Sequence, residues 1–146
     1  MNRDIIEVSG LRFAVTFDFD YDTEPPWDWS DGHGPVRIGR RHSDGQTDKR
    51  PGERPMNNPG WHENHYYYDW AEACKIARRD GWNAAPYDAP NRVHRAVQAD
   101  FDYLSAWVNG DWQYVVVGIC QVDDDGNEIG DWNYLGGVET YRDYHH

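Results

Sequence analysis

The sequence predicts an α+β fold: a small antiparallel sheet, made from an N-terminal strand and a C-terminal hairpin, with two helices packed on one face and a long irregular loop at 20–61. Three observations carry this prediction. Residues 11–19 alternate with a period of two, two later segments follow the helical period between recognisable caps, and a β-branched run near the C-terminus ends in an Asp-rich turn.

In LRFAVTFDF the alternation puts Leu11, Phe13, Val15, Phe17 and Phe19 on one side and Arg12, Ala14, Thr16 and Asp18 on the other. That is the pattern of a half-buried strand, with the aromatic side expected inward. From Asp20 to Trp61 the chain is dense in Asp, Gly, Pro and Asn, and only Val36 to Ile38 resembles a short strand. A structureless stretch of this length is the first place to look for a binding surface.

The first helix is expected to start at Asp69, which stands in capping-box spacing with Glu72 ahead of an apolar face of Trp70, Ala73, Cys74 and Ala77. Arg78 and Arg79 complement the dipole in the last turn, Gly81 suits a left-handed C-terminal position, and Trp82 folds back on Ala77. A second helix is expected over 91–109, with Pro90 at its entry and Gly110 as its stop. Val93, Ala96, Val97, Phe101, Leu104, Trp107 and Val108 form its apolar face. Residues 112–122, WQYVVVGICQV, read as a strand, Asp123 to Asn127 as a turn, and 128–139 as the returning strand, with Gly130, Gly136 and Gly137 pointing to bulges or close approach. No internal repeat stands in the chain and 146 residues fit one domain of ordinary size, so 1–146 is expected to be one domain.

Composition narrows the function classes. Eight Trp, ten Tyr and four Phe supply apolar area that a disordered acidic chain lacks, so the chain is expected to fold despite a net charge of −12. That charge opposes direct binding to duplex DNA, because polyanion binding depends on Lys and Arg releasing counterions. No apolar run is long enough to span a membrane and the N-terminus lacks a signal-peptide pattern, so a cytoplasmic protein without membrane contact is expected. Cys74 and Cys120 read as isolated buried thiols. Charge is uneven: residues 1–31 and 100–146 are acidic, whereas Arg37, Arg40, Arg41, Lys49, Arg50 and Arg54 make a basic loop between them.

No phosphate loop, nucleophile elbow or cofactor motif stands in the chain, so no cofactor is expected. The 123–127 turn lacks the ligand spacing of a calcium loop. His33, His62 and His65, with Asp31, His42 and Glu63, are weak candidates for a metal site, because no spacing makes three or four of them converge. Asp18, Asp20 and Asp22 line one face if the strand continues, as a cation site or as the solvated side of an edge strand. Trp61, Tyr66, Tyr67, Tyr68 and Trp70 place five large aromatics in ten residues, either as exposed interface anchors together with Trp27 and Trp29 or as packing beneath the long loop.

Several segments, DGHGPV (31–36), KRPGER (49–54), YDWAEACKIARRDGW (68–82), ADFDYLSAWVNGDWQYVVVG (99–118) and GGVET (136–140), together resemble a group of small accessory proteins encoded by phages and prophages. The resemblance implies action in a bacterial cytoplasm and transfers no catalytic residue. With the carboxylate excess it points to a non-enzymatic inhibitor or adaptor that docks on the basic surface of a nucleic-acid-handling host protein, as a DNA mimic directed at antiviral defence such as CRISPR would. The residues expected to carry that contact are Asp123, Asp124, Asp125, Glu128 and Asp131, then Asp18, Asp20 and Asp22, with Trp61, Tyr66 and Tyr67 as aromatic anchors. Two alternatives remain: a small metal-dependent hydrolase using the 31–65 loop, and a single-stranded nucleic-acid binder using the basic 37–54 loop with stacking aromatics.

Overall fold

A computed structural model describes residues 2–39, 48–58, 63–83 and 90–140. Its elements in chain order are β1 (Asn2–Val8), β2 (Leu11–Phe19), α1 (Pro26–Trp29), β3 (Val36–Gly39), β4 (Glu53–Pro55), β5 (His65–Asp69), α2 (Trp70–Asp80), α3 (Arg92–Val108), β6 (Tyr114–Val122) and β7 (Asn133–Glu139). The α+β class holds, with two antiparallel sheets in place of one. They fall in two compact units, the first formed by the chain up to Thr23 and from Trp112 onward, the second by Glu24–Asp111. Among the described residues no helix is long and apolar enough to cross a membrane.

The first unit is a four-stranded sheet ordered β1-β2-β6-β7, antiparallel throughout. β1 was not foreseen, because NRDIIEV has no clean alternation. It exists because Ser9 and Gly10 both take positive φ, 52° and 81°, the two-residue turn whose twist matches that of paired strands. At the other end, the expected glycine bulge is present: between the Val115–Val138 and Val117–Leu135 pairs, β7 carries two residues against one of β6. The Asp20 carboxylate accepts the amide of Gly137 there at 2.8 Å. β7 begins at Asn133, later than expected, with only an isolated bridge between Val122 and Glu128 before it.

The second unit holds both long helices and the three-stranded sheet β3-β5-β4. The stretch expected to be an irregular loop thus contributes a helical turn and two strands that flank β5. Short strands of three to five residues carry too little pattern to be read alone; their pairing with β5 creates them. The helix caps follow the sequence. Asp69 Oδ1 accepts from the Glu72 amide at 3.0 Å, and Gly81 closes α2 with φ 71°. The capping box is one-sided, since the Asp69 amide is already spent on Pro35 O in the sheet. The core consists of Met56, Tyr68, Ala73, Ala77, Val97 and Leu104, with Trp27, Tyr66, Trp70 and Phe101 packed around it. Tyr66 and Tyr67 therefore do not project as partner anchors. Tyr66 packs at the core edge beside Trp27, and Tyr67 is buried with the Arg37 guanidinium 4.7 Å above its ring. Trp61 lies outside the described residues.

Candidate functional site

Two features of the described residues go beyond packing. The first is a polar cluster in the second unit. α1 starts on Pro25-Pro26 and ends after one turn at Ser30, whose backbone is extended; Gly32 then takes φ +87° and reverses the chain, bringing His33 back beside Ser30. Gly34 follows, and only glycine fits: a Cβ there would lie 2.5 Å from the Tyr68 ring. The third participant comes from the middle of α3. Asp100 is largely buried and accepts from three donors, His33 Nδ1 at 2.6 Å, the Gly34 amide at 2.8 Å and the Tyr68 hydroxyl at 2.7 Å. Because a carboxylate only accepts, His33 Nδ1 carries a proton, and in the neutral ring Nε2 is then the acceptor. Ser30 Oγ lies 3.2 Å from that Nε2. The His33 ring stacks on Tyr103, 5.8 Å away and nearly parallel. Burial pushes the Tyr68 phenol far up, helped by the Asp100 charge, so it stays a neutral donor. A cavity of about 410 Å³ adjoins the cluster, lined by His33, Asp100, Tyr103, Trp82, Asn83 and Ala96.

This constellation was missed in the sequence. Ser30 and His33 are close in the chain, but Asp100 is 67 residues from His33. A signal was present: at helical spacing Asp100 lies four residues after Ala96, three after Val97 and four before Leu104, inside the apolar stripe, where an acid needs a buried partner.

The second feature is one face of the four-stranded sheet. Direct cross-strand partners share a face, so the register places Ile6 and Val8 of β1, Leu11, Phe13, Val15, Phe17 and Phe19 of β2, Val115, Val117 and Ile119 of β6, and Leu135 and Val138 of β7 together. Asp4 is the one charged residue that the register adds to it. Seven of these apolar residues are more than a third exposed, from 37% for Ile119 to 66% for Leu135. The expectation that Phe17 and Phe19 point inward is therefore overturned. The opposite side is the better covered one, with Ala14 at 0%, Thr16 at 5% and Cys120 at 2% exposure. Small side chains let that side close tightly, as at Gly118, where a Cβ would meet Thr16 Oγ1 at 2.6 Å and the Tyr134 ring at 2.8 Å.

No family model, curated protein or solved structure matches the chain.

The acidic residues divide by job. Asp123 is a turn staple that accepts the amides of Asp125 and Asn127, both at 2.9 Å, and these backbone hydrogen bonds, that from Asn127 foremost, hold its carboxyl below the usual range. Glu128 accepts from Trp132 Nε1 at 2.9 Å and has Arg3 at 3.9 Å. Arg3 and Arg12 also donate to the backbone oxygens of Gly126 and Asp124, so two cations bracket the acidic turn. Asp20 is tied into the bulge, while Asp18, Asp22, Asp124, Asp125 and Asp131 remain exposed. Among the described residues no three His, Cys, Asp or Glu converge on a metal position. His65 stacks on Tyr67, and His42 and His62 lie outside the described residues. In the described part of the basic loop, half-buried Arg37 pairs with Glu53 and Asp48, whereas Lys49, Arg50 and Arg54 are exposed, with Lys49 Nζ donating to Glu53 O and the Arg54 guanidinium lying 3.6 Å over Trp70. Arg40 and Arg41 lie outside the described residues.

Proposed function

We propose that the chain is a phage accessory protein that works in the bacterial cytoplasm by binding a host protein, and that the four-stranded sheet is its binding surface. The observation that carries this reading is the apolar face running across all four strands, exposed on each of them around a buried Val15 and Val115, with Phe17 and Phe19 exposed at one end of β2. Contiguous apolar surface of this kind marks interaction sites in soluble proteins. The Phe19 and Tyr21 rings lie 6.0 Å apart, and Tyr21, at 85%, is the most exposed large hydrophobic side chain among the described residues. Aromatic residues of this type anchor protein interfaces.

The acids keep a role, but a secondary one. Asp18, Asp22, Asp124, Asp125 and Asp131 add a negative field that speeds encounter with a partner of basic surface, while desolvation of the apolar face supplies affinity. The phage setting and the basic, nucleic-acid-handling partner rest on the segment resemblance and on the net charge of −12.

Affinity capture from bacterial host lysate tests the reading, with wild type compared against Phe17→Ser/Phe19→Ser and against Asp124→Asn/Asp125→Asn/Asp131→Asn. Loss of a captured basic protein in the phenylalanine variant, and weaker capture with a flatter salt dependence in the asparagine variant, support it. Capture that is indifferent to Phe17 and Phe19 overturns it.

A further inference from the structure

We infer that Ser30, His33 and Asp100 form a nucleophilic acyl-transfer site, and that the adjoining cavity takes a small ester with an apolar or aromatic acyl group. The inference goes beyond the binding role and uses none of its residues.

The geometry supplies the hydroxyl, the base and the carboxylate that orients the base in a serine nucleophile. Asp100 accepts from His33 Nδ1 at 2.6 Å and so fixes both tautomer and ring orientation. The opposite nitrogen, Nε2, is the one that meets Ser30 Oγ, at 3.2 Å. Stacking on Tyr103 holds the plane of the ring, and the Gly34 amide and Tyr68 hydroxyl hold the carboxylate from its other oxygen. Ser30 is solvent-accessible, as an attacking group must be, and His33 and Asp100 line a cavity of about 410 Å³, a volume suited to a small ligand. Trp82, Tyr103 and Ala96 make part of that lining apolar, and Asn83 brings a side-chain amide of the type that stabilises an oxyanion.

In the reaction, Ser30 Oγ bonds to the substrate carbonyl carbon and its proton passes to His33 Nε2. The bond from that carbon to the leaving oxygen then breaks, and the leaving alcohol takes the proton from Nε2. Water attacks the acyl-Ser30 ester, giving one proton to Nε2; the acid departs and the proton returns to Ser30 Oγ. The balance is ester plus water to acid plus alcohol, with no other reactant.

The full chain is treated with a fluorophosphonate probe, and separately with p-nitrophenyl acetate and butyrate. Adducts are located by peptide mass mapping. The expected result is a single adduct on Ser30, absent in Ser30→Ala, and ester hydrolysis that falls about 100-fold or more in Ser30→Ala and in His33→Gln. Ser30 is exposed, so Ser30→Ala should keep the wild-type urea midpoint. In a second measurement, Ser30→Cys should react with iodoacetamide faster than Cys74 of the same chain, and Ser30→Cys/His33→Gln should lose that excess, because the imidazole activates the thiol. A wild type that is not labelled at Ser30, or a Ser30→Cys rate that His33→Gln leaves unchanged, overturns the inference. Either result leaves the lysate-capture outcome of the sheet-face variants untouched.

Discussion

Arg37 and Glu53 face each other through two parallel hydrogen bonds, Nε to Oε2 at 2.8 Å and Nη2 to Oε1 at 2.7 Å, joining the two outer strands of the three-stranded sheet. Glu53 also accepts the Arg50 amide at 2.7 Å, and its side chain is almost completely buried. The Arg37 bonds, above all, hold the Glu53 carboxyl below its ordinary value of 4.5, and the same bonds raise the Arg37 guanidinium.

Glu53→Gln should lower stability by about 2 kcal/mol at neutral pH, less than for a fully buried pair because Asp48 still reaches Arg37 at 3.1 Å. The folded carboxyl titrates below the unfolded one. Its contribution is therefore complete above about 4.5 and is lost as pH falls through the folded value. Urea midpoints of wild type and variant should differ at neutral pH and converge in acid.

Gly118→Ala should destabilise the four-stranded sheet by about 2 kcal/mol, because the new methyl group collides with Thr16 and Tyr134 on the tightly packed face. Gly130→Ala is the matched control, with nothing within 4 Å of the added carbon. Thermal melts of the two variants should separate by several degrees. Equal melts would show that the Thr16 side of the sheet is loosely packed.

Asp69→Ala should cost about 1 kcal/mol by leaving the Glu72 amide without its acceptor. Asp69→Asn keeps an acceptor and should recover most of that loss in chemical denaturation.

Tyr68→Phe should cost about 1.5 kcal/mol, since Asp100 loses one of its donors in a buried setting. The Tyr68 phenol is pushed up by burial first and by Asp100 second, so its contribution persists below the ordinary value of 10 and disappears as pH rises through the folded one. Tyrosinate absorbance in the wild-type minus Tyr68→Phe difference should appear only as the protein unfolds in alkali.

Much of the fold was legible because its signals are local. The Asp69 cap, the left-handed Gly81 and the apolar stripe of α3 each involve residues within a turn or two of one another, and all three stand in the structure. The candidate sites were less legible. In the sequence Asp123 and Asp20 carry only a charge, whereas in the fold both are occupied as acceptors of backbone amides, a role that depends on where the chain turns. Tyr67 looked like an anchor in the sequence, but Arg37 and Gly39 on the neighbouring strand close over it.

The sequence by itself determined the α+β class, the two long helices and their ends, strand β2, and the β6 hairpin with its acidic turn. Periodicity and capping act over a few residues and need no distant partner. Only the tertiary structure decided which side of β2 meets water, that HYYYD pairs between two short strands, and that Asp100 reaches His33 and through it Ser30. Alternation specifies that a strand has two faces, but what covers each face comes from elsewhere in the chain. A hydrogen bond spanning 67 residues leaves no periodic trace, so the triad of Ser30, His33 and Asp100 exists only once the chain has folded.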